Sequence, residues 1–209
     1  MSQELEIEYK NLLTKTEYDQ IMTEFQLNHE NPFTQTNYYF DTTDFQLKAH
    51  HSALRIRTRP DQSYAEMTLK TPKEGQLLET TTQLTMEQAQ SFIQQQTIEP
   101  TAEIVQELQK IGLEQSESLT LFAELTTTRR EKQVPQGTIV LDHSWYGTQE
   151  DFELEVESTM ETDGLELFQA ILQQCNIPIV KLRIKLDGPN KHFNHESVKC
   201  ISLGICHNL

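Results

Sequence analysis

Along most of this chain apolar and polar residues alternate with period two, and the polar positions of each run are sorted by sign of charge. Glu4, Glu6, Glu8 and Lys10 alternate with Leu5, Ile7 and Tyr9. Arg55, Arg57 and Arg59 alternate with Leu54 and Ile56. Asp151, Glu153, Glu155 and Glu157 alternate with Phe152, Leu154 and Val156, and Lys181, Arg183 and Lys185 lie on the last such run. Successive side chains of a strand point to opposite faces, so each run predicts a half-buried strand with an apolar face and a charged one. Asn37–Asp41, Tyr64–Lys70, Leu77–Leu84, Leu121–Val134, Thr138–Tyr146 and Val180–Leu186 read as further strands. The Pro60-Asp61 turn predicts a hairpin between the third and fourth strands.

Helices interrupt the strands. Thr14 with Glu17 and Thr85 with Gln88 have the spacing of capping boxes. Thr101–Ile111 is a third helix closed by Gly112, and Asp163 with Glu166 opens a fourth bearing Leu165, Phe168, Ile171 and Leu172. The pattern is α+β, with strands in the majority. Residues 1–186 read as one domain. The Asp187-Gly188-Pro189-Asn190 turn then begins a stretch to Leu209 without periodicity, which we read as a poorly ordered tail.

The formal net charge of −15 excludes a nucleic-acid or anionic-membrane partner on electrostatic grounds. Cys175, Cys200 and Cys206 form neither a disulfide framework nor a zinc spacing. The N-terminus has no signal pattern and no apolar run is long enough to span a membrane, so the expected location is the cytoplasm.

Like charges two residues apart on one strand face repel, increasingly so when enclosed. A single such strand is ordinarily a solvent face with cross-strand ion pairs. Several in one chain suggest counter-charges placed opposite: carboxylates around a hard divalent cation, and Arg and Lys around phosphates. A closed barrel with that interior holds one small anionic ligand. His50-His51 does not read as a metal pair, because adjacent strand residues face opposite ways.

The motifs Glu6-Ile7-Glu8-Tyr9-Lys10, Tyr39-Phe40-Asp41-Thr42, Leu54-Arg55-Ile56-Arg57, Leu69-Lys70, Thr127-x-Arg129 and Glu153-Leu154-Glu155-Val156-Glu157 occur in that order. The set resembles the CYTH superfamily, or triphosphate tunnel metalloenzymes, and is most similar to small bacterial members of the YjbK-like type. The resemblance spans residues 1 to about 185. It implies an eight-stranded antiparallel β-barrel with helices packed outside. It also implies Mg²⁺ or Mn²⁺ held by Glu6, Glu8, Asp142, Glu153 and Glu155, with Glu155 and Glu157 as an alternative register. Lys10, Glu6 and Glu8 would be catalytic. Arg55, Arg57, Lys70, Arg129 and, on the last strand, Lys181 or Arg183 would hold the triphosphate. Relatives often carry two acidic residues after the Leu69-Lys70 motif; here Glu79 is followed by Thr81.

The expected activity is metal-dependent hydrolysis of inorganic tripolyphosphate, thiamine triphosphate or a nucleoside triphosphate, by a monomer or homodimer acting on a small molecule. Cyclisation of ATP, as in class IV adenylate cyclases, needs an adenine pocket that the sequence does not display. A non-catalytic nucleotide or polyphosphate sensor is the third reading. A lipocalin-like carrier would need an apolar interior, which the sorted charges contradict.

Overall fold

The structure, a computed structural model, describes residues 1–73, 76–113 and 118–180, without the side chains of residues 5 and 6. The expected basic strand from Lys181 onward and the tail 187–209 lie outside the described residues. The elements are β1 (Ser2–Leu13), α1 (Lys15–Glu24), a 3-10 turn (Leu27–His29), β2 (Phe33–Asp41), α2 (Gln46–Ala49), β3 (Ala53–Thr58), β4 (Tyr64–Lys73), β5 (Gln76–Thr85), α3 (Met86–Gln95), β6 (Thr97–Ile98), α4 (Ala102–Lys110), β7 (Leu119–Val134), β8 (Gly137–Tyr146), β9 (Gln149–Ser158) and α5 (Glu161–Gln174). The strands form an antiparallel sheet in the hydrogen-bonded order β2-β3-β4-β5-β1-β9-β8-β7-β6, with a further β2–β7 pairing. This sheet has nine strands among the described residues, where the resemblance implied eight. One of the nine, β6, is two residues long and pairs Ile98 with Leu119, too short for periodicity to reveal.

The chain divides into two compact units, and β1, β2 and β7 contribute residues to both. In the first, which contains residues 36–124, β2 to β5 form an antiparallel meander. Its apolar face carries Phe40, Leu54, Ile56, Ala65, Met67, Leu69 and Leu84, clustered with Leu47 of α2, Ala89 of α3 and Ile104 and Leu108 of α4. The alternation therefore does what it predicted: one face is sealed by helices, leaving Arg55, Arg57, Glu66, Thr68, Lys70 and Glu79 on the other. The single-turn helix α2 has no sequence periodicity and was not expected. The buried Asp41 carboxylate organises it, accepting N–H bonds from Thr42 and Leu47 at 2.8 Å each and from Lys48 at 3.1 Å.

In the second unit, residues 6–35 and 125–180 of those described, β1 pairs with β9, β9 with β8 and β8 with β7. Leu13, Ile139, Leu141, Phe152, Leu154 and Val156 pack against Tyr18 and Ile21 of α1 and Phe168, Ile171 and Leu172 of α5. Each fully buried side chain of this kind contributes about 1.5–3 kcal/mol. Both expected capping boxes form: Glu17 N–H donates to Thr14 Oγ1 at 3.3 Å, and Gln88 N–H donates to Thr85 Oγ1 at 3.2 Å, each with the return bond. The last helix starts at Glu161 rather than Asp163, because Met160 acts as its N-cap and accepts the Gly164 N–H.

Gly137, at the β7–β8 turn, lies against β9. A Cβ there would stand 2.2 Å from the Glu157 carbonyl oxygen. Backbone cannot yield that far without breaking the ladder, so Gly137→Ala is expected to cost about 2 kcal/mol or more in thermal unfolding. No helix among the described residues is long and apolar enough to cross a membrane.

Candidate functional site

In the second unit the polar faces of β1, β9, β8 and β7 converge. Lys10 is directly opposite Glu155 across the β1–β9 pair, and Glu8 is opposite Glu157. Glu153 is opposite Asp142, and Asp142 is opposite Arg129. Two carboxylates facing each other across a ladder repel unless a cation stands between or beside them. Lys10 Nζ donates to Glu155 Oε1 at 2.9 Å and lies 3.0 Å from Glu8 Oε2. Arg129 grips Asp142 through two parallel bonds, Nε to Oδ1 at 2.8 Å and Nη2 to Oδ2 at 2.7 Å. Its Nη2 also donates to Glu155 Oε2 at 2.7 Å, and Nη1 donates to Glu157 Oε1 at 3.3 Å. Burial alone would lower the Arg129 pKa, but Asp142, Glu155 and Glu157 outweigh it and push it well above the ordinary arginine value.

Lys10 and Arg129 stand against Glu8, Asp142, Glu153, Glu155 and Glu157, so carboxylates remain in excess. Glu153 carries the surplus. The residue is half-buried, yet its Oε1 is sealed from solvent and has no hydrogen-bond partner among the described residues. Burial pushes its pKa well above the usual carboxylate range, and Glu155, Asp142 and Glu8 add to the rise while Lys10 opposes it. The native state therefore binds this proton more tightly than the unfolded chain. Stability from this group falls as pH rises from about 4.3, the unfolded glutamate value, to the raised folded value. Glu153→Gln is expected to raise the melting temperature at neutral pH and to flatten that decline, as thermal melts across pH 4–8 would show.

Among the described residues, no group of three or more His, Cys, Asp or Glu is arranged to hold a metal ion. The donor chemistry nonetheless suits one. The excess carboxylates are hard oxygen ligands, and the orphaned Glu153 oxygen is the kind of atom a divalent cation satisfies. The Glu6 side chain lies outside the described residues.

In the first unit the open face of β2 to β5 carries the other sign. Lys70 Nζ lies 2.5 Å from Glu79 Oε1, and Arg55 Nη2 lies 3.9 Å from the same oxygen. Arg57 Nε donates to Asn37 Oδ1 at 2.9 Å across the β2–β3 pair. Asn37 is buried, so it fixes the guanidinium plane; a lone Asn in a strand gave no sign of this from sequence. Thr81, two positions past Glu79, shares a 3.0 Å hydroxyl contact with Thr68. Lys181 and Arg183 lie outside the described residues.

The CYTH domain family matches residues 4–182. The chain belongs to the CYTH family. A Bacillus subtilis CYTH relative, YjbK, provisionally named a triphosphatase, is 40% identical over 179 residues, covering 85% of this chain and 90% of its own. A crystal structure from Bacillus halodurans, provisionally named an adenylate cyclase, is 34% identical with a TM-score of 0.80, covering 89% of this chain and 97% of that one. A Hippeastrum protein, provisionally named an adenylyl cyclase and described as having a dominant triphosphatase activity, is 21% identical with a TM-score of 0.61. It covers 83% of this chain and 88% of its own, and at that identity it shares the CYTH fold.

Proposed function

We propose that this protein is a divalent-metal-dependent triphosphatase acting on a small linear triphosphate. The observation that carries the reading is the surplus of buried carboxylate around Glu153 and Glu155, of a kind that oxygen-ligated Mg²⁺ or Mn²⁺ relieves. Similarity to YjbK at 40% identity supports the same activity. Glu6, Glu8, Glu153 and Glu155 would hold the metal, which when bound polarises phosphoryl oxygens and makes water a better nucleophile. Arg55, Arg57 and Lys70 neutralise phosphate oxygens and keep the chain of phosphates in line. Asn37 holds the Arg57 fork in one orientation for this task. Lys10 is paired with both Glu8 and Glu155.

Cyclisation of ATP is the second reading, carried by the name of the Bacillus halodurans relative. Incubation with tripolyphosphate, thiamine triphosphate and ATP, with Mg²⁺ or Mn²⁺ and then with chelator, separates the two. Metal-dependent release of orthophosphate is expected. Cyclic AMP with pyrophosphate would favour the cyclase, and tight binding without turnover would leave a sensor.

A further inference from the structure

We propose that Lys10 and Arg129 are tethered counter-ions that occupy Glu155 until a divalent cation takes their place. The inference rests on the metal-dependent reading above and assigns it a mechanism of loading. Glu155 is buried, and both its oxygens are engaged: Oε1 by Lys10 at 2.9 Å, Oε2 by Arg129 at 2.7 Å. The two cations reach it from different strands, Lys10 from β1 on one side of β9 and Arg129 from β7 beyond β8.

Oxygen ligation of Mg²⁺ or Mn²⁺ needs a carboxylate oxygen at about 2.0–2.2 Å, far inside the reach of an ammonium or guanidinium contact. A divalent cation at that distance from either oxygen would stand close to the charge already bound there and repel it, so metal binding at Glu155 favours withdrawal of one of its present partners. Each partner has somewhere to go. Lys10 holds Glu8 through Oε2 at 3.0 Å, which leaves Oε1 for a cation, and Arg129 keeps two bonds to Asp142 and one to Glu157. Withdrawal thus leaves no buried cation bare, which is the condition for exchange at tolerable cost. Glu155 is the exchangeable carboxylate of the cluster. Asp142, with both oxygens held by Arg129, is the anchor that keeps the guanidinium in place.

The arrangement also ties metal to substrate. An anion that draws Lys10 away frees Glu155 for the metal, and a metal on Glu155 frees Lys10 for the anion, so each tightens the binding of the other.

The test is a calorimetric titration of the substrate-free full-length protein with Mn²⁺. Loss of the competing ammonium in Lys10→Gln is expected to tighten Mn²⁺ binding about tenfold or more. Unchanged or weaker binding by folded Lys10→Gln overturns the proposal. A lysine of merely structural importance, or one that touches only substrate, would give that result. Should Lys10→Gln fail to fold, the wild type decides. In ¹⁵N-lysine-labelled protein, the slowly exchanging Lys10 ammonium signal is expected to shift or vanish on addition of Mg²⁺, and its persistence overturns the proposal. A wild type that binds no Mn²⁺ would instead sink the metal-dependent reading itself, which keeps the two failures apart.

Discussion

Arg129→Met is expected to lower the folding stability by about 3–5 kcal/mol. The guanidinium is the shared partner of Asp142, Glu155 and Glu157, and Asp142 and Glu155 are almost fully enclosed. Removing it leaves those carboxylates to repel each other without solvent to screen them. They would take up protons instead, so the loss should be largest at high pH and smaller in acid. Urea unfolding of the variant at pH 5 and pH 8 reads both the size and the pH dependence. Pairing it with Asp142→Leu removes one orphaned charge and should restore part of the loss, which a double-mutant cycle measures. A change within 1 kcal/mol would mean that Arg129 is a solvated surface cation, contrary to its burial.

The double variant Arg55→Gln, Arg57→Gln is expected to reduce kcat/KM for triphosphate hydrolysis by roughly a thousandfold, the order of an arginine that stabilises a phosphoryl-transfer transition state. Both side chains sit on the polar face of β3, away from the apolar cluster formed by Leu54 and Ile56, so the far-UV spectrum should not change. Asn37→Ala alone should show a smaller fall, because Arg57 keeps its charge and loses only its fixed orientation. Activity within tenfold of wild type in the double variant would remove β3 from the substrate site.

Strand positions were readable because each strand is half-buried. Leu54 and Ile56 against Arg55 and Arg57, or Leu154 and Val156 against Glu153 and Glu155, give period two directly, and those residues do line a core on one face. The capping boxes at Thr14 and Thr85 were equally legible, since they are local chemistry. What escaped was non-local. Asp41 reads as one more acidic residue until Leu47 and Lys48 of α2 are seen to donate to it. The grouping of Glu8, Lys10, Asp142, Glu153 and Glu155 in one unit depends on β1 meeting β9, a pairing that no local window contains. The resemblance to CYTH sequences named those residues; it did not say which of them would be held by other side chains. That Arg129 spends its donors on Asp142, Glu155 and Glu157 follows from register alone.

The β1–β9 pairing also sets a timetable. Lys10 and Glu155 are 145 residues apart in sequence. A chain emerging from the ribosome therefore presents β1 long before β9 exists to receive it, whereas β3 and β4 can meet across a short turn as soon as both are made. During that wait an alternating strand is an open edge, ready to stick to the β1 of a neighbouring nascent chain. Glu4, Glu6 and Glu8 on one face make two such strands repel. The same carboxylates would thus protect the unfinished chain from aggregation, and neutralising them should lower the soluble yield even where the purified protein folds.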